Sequence, residues 1–213
     1  MLKNSLLTLF IIFLFSACSL KIPDFLTFGP NIDYEAEKAE ANLCQNLDLD
    51  TNKLACYEKI QDVNSFAMIR LGNYYIEKED FKQGLKFLNS AYDKGNSYAN
   101  LPLALVYYKG KGVRKDISKS FDYLEEASQI DPLAAFQLSR FYLHGINTKI
   151  DYEKGLELLN FAATHEIKDA QNLLADIYKQ GLFNQPKDQL KFEFWQEKAK
   201  NNKEDNNSKI YMF

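Results

Sequence analysis

Residues 99–127 read ANLPLALVYYKGKGVRKDISKSFDYLEEA, and this stretch decides the fold. Ala99, Leu103 and Tyr107 recur every four residues, a spacing that stacks side chains on one face of a helix. Ala104, beside the leucine, is small enough to let a neighbouring helix approach closely. Gly110 supplies the positive φ that a helix C-cap needs. Asp116 stands where a side-chain oxygen caps the next helix, and Phe121, Leu124 and Ala127 give that helix an apolar stripe. The stretch predicts two helices joined by a short loop.

Working outward, the same order of residues returns three times. Ala67, Leu71, Gly72 and Tyr75 form one set; Ala134, Leu138, Ser139, Tyr142 and Gly145 another; Ala170, Leu174, Ala175, Tyr178 and Gly181 the last. The leading alanines are offset by 32, 35 and 36 residues. Each set is followed by a second apolar helix: Leu85, Leu88 and Ala91; Leu156, Leu159 and Ala162; Phe192, Trp195 and Ala199. Asp80, Asp151 and Asp188 recur where those second helices begin, as N-caps. A helix pair of this size cannot bury its own apolar face and must stack on the next. The expected fold is all-α, an α-solenoid of antiparallel helix pairs with about four units over residues 66–200.

These features resemble the Sel1-like repeat family, a relative of the tetratricopeptide repeats. YYKGKGVRKD, residues 107–116, follows the family's Y-x-x-G-x-G-V-x-x-D, with Asp116 at the aspartate position. The other units depart from it. The first has the short YIEKEDFKQG, the third replaces the second glycine by Asn147, and the fourth, YKQGLFNQPKDQ, keeps only Gly181. Irregular loops within a regular stack are therefore expected. Pro102 falls in the first turn of its helix, where a missing N–H is tolerated.

The N-terminus carries a different signal. Lys3 precedes an apolar run from Leu6 to Phe15, too short to cross a hydrocarbon core of about 30 Å. Ser16-Ala17-Cys18 follows, and the whole resembles the signal peptide and lipobox of bacterial lipoproteins. The resemblance implies removal of residues 1–17 and lipidation (palmitate included) at Cys18, with Ser19 in the place that resembles outer-membrane sorting. An ordinary anchor helix with an incidental cysteine is the alternative. Residues 18–32, with Pro23, Gly29 and Pro30, read as a tether whose Phe25, Leu26 and Phe28 are placed to pack on the first helices.

Residues 33–65 read as an N-terminal helical hairpin. Asp33 caps a helix from Tyr34 with Ala36, Ala39, Leu43 and Leu47 as its apolar positions, and a second helix spans 52–60 with Leu54, Ala55 and Tyr57 facing inward. Cys44 and Cys56 flank the turn. In an oxidising compartment they form a disulfide; otherwise they are two small buried thiols. Residues 201–213 form a polar tail through Lys209. The final Ile210-Tyr211-Met212-Phe213 docks in the last groove, meets a partner, or stays loose; a loose end is the favoured expectation.

Little points to chemistry. The chain has 26 basic and 29 acidic residues, spread evenly, with no basic stripe for nucleic acid. Its two histidines, His144 and His165, sit at predicted helix ends and in no ligand spacing with cysteine, so neither a metal nor a cofactor is expected. Glu125 with Glu126, and Glu193 with Glu197, read as solvated pairs, and no nucleophile elbow or phosphate-cradling loop occurs. The expectation is a protein without turnover that binds an envelope protein, or a peptide segment of one, on the curved surface of its solenoid, through either the concave face or the loops. Tyr74, Tyr108 and Phe141 are candidate anchors if exposed and packing residues if not; Arg70 and Arg140 are either solvated or binding. A peptidoglycan-binding or structural envelope role is the first alternative. A cell-wall or β-lactam hydrolase, suggested only by secreted members of the resembled family, is the second.

Overall fold

The structure, a computed structural model, describes residues 33–203 and 208–213. The lipobox, Cys18 and the tether lie outside the described residues. Ten α-helices are present among the described residues: α1 (Tyr34–Gln45), α2 (Asp50–Ile60), α3 (Ser65–Glu77), α4 (Phe81–Asp93), α5 (Asn100–Lys109), α6 (Ile117–Ala127), α7 (Pro132–His144), α8 (Tyr152–Thr164), α9 (Lys168–Gln180) and α10 (Gln189–Asn201). From α3 onward they form four antiparallel pairs, each pair packing on the next through α4 with α5, α6 with α7 and α8 with α9. This is the expected all-α solenoid.

The repeat residues build its interior. Leu71, Leu103, Leu138 and Leu174 are all buried, and so are Ala67, Ala99, Ala134 and Ala170. The small residues beside the leucines, Gly72, Ala104, Ser139 and Ala175, are buried too. At Gly72 the reason is direct. A Cβ there would lie 2.6 Å from Leu88 Cδ2 and 3.2 Å from the Gly84 carbonyl oxygen, so α3 and α4 cross with backbones nearly touching. The four aspartates cap as expected: Asp80, Asp116, Asp151 and Asp188 accept from the N–H of Gln83, Lys119, Lys154 and Lys191, at 2.9–3.1 Å.

The loops are more regular than the sequence suggests. Gly110, Gly145 and Gly181 end their helices with φ of 70°, 65° and 73°. Two residues later Gly112, Asn147 and Phe183 all take positive φ, at 70°, 56° and 52°. Asparagine tolerates this region because its short polar side chain bonds locally. Phenylalanine does so at a cost of about 1–3 kcal/mol, offset by ring packing against His144 and Tyr152 at 5.5 and 5.6 Å. All three loops close with the same bond, from the N–H of Asp116, Asp151 and Asp188 to the carbonyls of Tyr107, Tyr142 and Tyr178.

Two expectations fail. In α1 the inward face carries Ala41 and Cys44, while Leu43 is 70% exposed and Ala36 and Ala39 face solvent. Polar contacts set this rotation. Ser65 N–H donates to Glu37 Oε2 at 2.7 Å, and Asn64 Nδ2 donates to the Glu37 carbonyl and to Glu40. The Cys44–Cys56 disulfide, with Cα atoms 5.5 Å apart, holds the same face against α2. In α2, Tyr57 is buried but Ala55 is exposed. The second failure is the tail. Residues 208–213 are not loose, and they do not enter the last groove; they lie against the first three units.

Candidate partner-binding face

The first helices of the first three units present one row of side chains each to a common face. On α3 the row is Arg70, Asn73, Tyr74 and Glu77, the i, i+3, i+4, i+7 positions of a single helical side. Leu101 and Leu105 of α5 and Leu133 and Gln137 of α7 continue it. The segment 208–213 lies on this face. Ile210 is 4% exposed, in a cluster with Ala41, Cys44, Tyr57, Phe66, Ala67 and Leu71. Phe213 packs on Tyr74 with ring centroids 4.2 Å apart and on Tyr57 at 5.6 Å.

Polar contacts fix the segment's main chain. Arg70 Nη2 donates to the Lys209 carbonyl at 3.3 Å and to Asn42 Oδ1 at 2.5 Å, while Nη1 donates to the Tyr57 hydroxyl at 3.3 Å. Arg70 is fully buried, so the solvated alternative for it is wrong; three oxygens from separate parts of the chain draw it inward. Burial pulls its pKa below the ordinary guanidinium value, with Tyr57 opposing. Asn73 Nδ2 donates to the Tyr211 carbonyl at 2.9 Å. The Tyr211 hydroxyl donates to Asp131, whose other oxygen caps α7 at Leu133. Beyond Met212 the face opens into a groove of about 440 Å³, lined by Leu101, Pro102, Leu105 and Leu133 with Lys109 at its edge.

Burial, with Asp131 adding to it, raises the Tyr211 phenol well above its ordinary value. The neutral form is the one that fits. Its contribution to stability is complete below the unfolded phenol pKa of about 10 and is lost as pH climbs above that. In an alkaline titration followed at 295 nm, Tyr211→Phe is expected to remove one of the phenols that ionise above the ordinary range. An unchanged high-pH part of the titration would refute the assignment.

A second feature escaped the sequence reading. Each of the last three units sets a lysine of its second helix over the repeat tyrosine: Lys119 over Tyr107 at 4.1 Å, Lys154 over Tyr142 at 4.4 Å and Lys191 over Tyr178 at 4.8 Å. Hydrogen bonds to the tyrosine hydroxyls raise the Lys119 and Lys154 pKa values. The first unit has Gln83 at this position, and its Tyr75 stacks on Phe87 instead. The signal was present as a lysine three residues after Asp116, Asp151 and Asp188.

The nominated aromatics separate. Tyr74 is half-buried under Phe213. Tyr108 is half-buried, 5.7 Å from Phe141 and with the Lys115 ammonium 5.5 Å from its ring centroid. Phe141 itself is a core residue, 5% exposed and packed on Phe121. Arg140 is exposed beside Gln137. His144 packs edge-on against Phe183, and His165 Nδ1 lies 2.8 Å from the Phe161 carbonyl at the end of α8. Among the described residues no group of three or more His, Cys, Asp or Glu side chains is placed to hold a metal.

The Sel1 repeat family matches residues 65–96, 97–130, 132–166 and 168–199, close to the four helix pairs. A Sel1 repeat protein from Oxalobacter formigenes superposes with a TM-score of 0.72 at 23% identity, over 79% of this chain and 72% of that one. A protective antigen of uropathogenic Escherichia coli with an SLR fold gives a TM-score of 0.60 at 18% identity, over 84% of this chain and 40% of the other. The alginate biosynthesis protein AlgK of Pseudomonas syringae pv. tomato is 28% identical over 105 residues, 49% of this chain. The chain spans about a fifth of that relative's length, the match covering 22% of it. With four consecutive units matched across more than half of its length, and with those units folded as stacked helix pairs, the chain belongs to the Sel1 repeat family.

Proposed function

We propose that this protein is a lipid-anchored adaptor of the bacterial envelope that binds another protein through the face built by α3, α5 and α7. The observation that carries the reading is the groove of about 440 Å³ on that face, apolar along Leu101, Leu105 and Leu133 and rimmed by Glu77, Lys109 and Lys111. Apolar floors with charged rims suit docking of a polypeptide segment. Tyr108, still partly open to solvent, lines a smaller cleft beside that groove, the two sharing Leu105 and Gln137. The proposed arrangement of the chain is a signal peptide over 1–17, a lipidated tether over 18–32, a helical hairpin over 33–65, the solenoid over 66–200 and the tail over 201–213. Cys18 would carry the lipid, which would place the solenoid at the outer membrane, facing the periplasm.

A photoreactive side chain at Tyr108 tests the binding face in living cells. The expected result is a discrete protein crosslink found by mass spectrometry. Recovery on bare peptidoglycan sacculi with no protein crosslink would overturn the adaptor reading. Cys18→Ser is expected to abolish palmitate labelling and leave unprocessed precursor; normal labelling would sink the anchor.

A further inference from the structure

Three anchors hold residues 208–213, and each has a distinct chemistry. Ile210 fills an apolar recess between α1, α2 and α3. Tyr211 brings its hydroxyl to Asp131, a carboxylate that is 0% exposed. Phe213 lays its ring against Tyr74 and Tyr57. Met212, between the last two anchors, is 52% exposed. Two further contacts go to main-chain carbonyls, those of Lys209 and Tyr211, from the side chains of Arg70 and Asn73. Such contacts do not depend on which side chains the bound segment carries. The donors come from the solenoid and the acceptors from the segment, so a different stretch of polypeptide can satisfy the same groups. The open groove begins where Met212 and Tyr211 form one wall, so a longer segment could run on across α5 and α7.

We propose that residues 208–213 are an intramolecular stand-in for the partner, and that the face recognises a short linear segment with an aliphatic residue, a tyrosine directly after it, and an aromatic residue two places beyond the tyrosine. The proposal rests on the adaptor reading above and names the partner's chemistry. The chain's own tail competes for the face, so an incoming segment must displace it. Occupancy is then set by competition: a segment that adds contacts along Leu105 and Leu133 outcompetes the tail, and one that only matches it is disfavoured, because the tail is tethered and its effective concentration is high.

The test uses the full chain carrying Tyr211→Ala and Phe213→Ala, with a fluorophore-labelled peptide of residues 208–213, SKIYMF, added in trans and followed by anisotropy. The double variant is expected to bind the peptide at least tenfold more tightly than the wild-type chain does. A peptide with phenylalanine in place of its tyrosine is expected to bind about tenfold more weakly, the scale of one hydrogen bond to a charged group. If the double variant loses its helical circular dichroism, Phe213→Ala alone replaces it, since Ile210 and both carbonyl contacts remain. Equal binding to wild type and a helical variant would overturn the competition. No binding to a helical variant would overturn the stand-in, and a surviving protein crosslink at Tyr108 would show that the adaptor reading had not failed with it.

Discussion

Leu138→Ala is expected to lower the free energy of unfolding by about 2–5 kcal/mol, the range for deleting a fully buried leucine. Leu138 is 1% exposed and sits with Leu101, Ala104, Leu124, Ala127, Ala134, Phe141 and Tyr142 in the cluster joining the second and third units. The truncation leaves a cavity there, lined by buried residues of α5, α6 and α7. In a stacked array each unit is stabilised by its neighbours, so a break at this internal junction weakens both sides. Urea denaturation should show the midpoint falling with the slope unchanged. Leu190→Ala is the control: that side chain is 79% exposed, and its loss should change stability by no more than about 0.5 kcal/mol. Equal effects of the two substitutions would mean that the stacking described here is wrong.

The second large effect is expected from Cys44→Ala with Cys56→Ala. Cross-links closing loops of this size contribute about 2–4 kcal/mol, and Cys44 and Cys56 are 12 residues apart. The loss should fall on α1 and α2. Beyond the disulfide, α1 buries little apolar surface, only Ala41 and Cys44 being fully covered, and α2 buries only Tyr57. Hydrogen exchange should therefore quicken in residues 34–60 and stay nearly unchanged in α7 to α10. Ile210 shares the buried cluster of Cys44, so amides of the tail should quicken too. Uniform quickening across all helices would contradict a hairpin stabilised mainly by its cross-link.

The solenoid was legible because its signal is redundant. Alanine, leucine and tyrosine at four-residue spacing, repeated four times, survive any single departure, and each occurrence buries the alanine and the leucine. The capping aspartates and the glycines at 110, 145 and 181 fixed the helix ends for local reasons that need no tertiary context. Where the signal was single it misled. In α1 the apolar residues suggested one face, yet Glu37 and Glu40 accept hydrogen bonds from Ser65 and Asn64 and so set which side of the helix meets α3. Nothing within residues 34–45 announces a polar contact with residues 64 and 65. Asn147 and Phe183 looked like broken loops because the family pattern names glycine; the backbone needs positive φ, and other residues reach it when their side chains are satisfied. Arg70 and Asp131 were missed as parts of one surface because their link runs through residues 209 and 211, more than 75 positions further along the chain from either. Phe141 was nominated by its aromatic character, but in the same register Val106 and Ile177 are also buried, which marks the position as packing.

Ile210 belongs to the apolar cluster of the first helices although it follows the fourth unit in sequence. An array whose members touch only their neighbours melts by fraying from its ends. Here the far end is fastened to the near one, so peeling α10 away does not release the tail's contacts with α3. Unzipping from the C-terminal side should therefore be suppressed, and loss of structure should approach a single concerted event. Refolding should pay for this: the union of residue 210 with residues 41–71 closes a very long loop, and such closures are slow. The segment that guards the groove would then be among the last pieces of the chain to find its place.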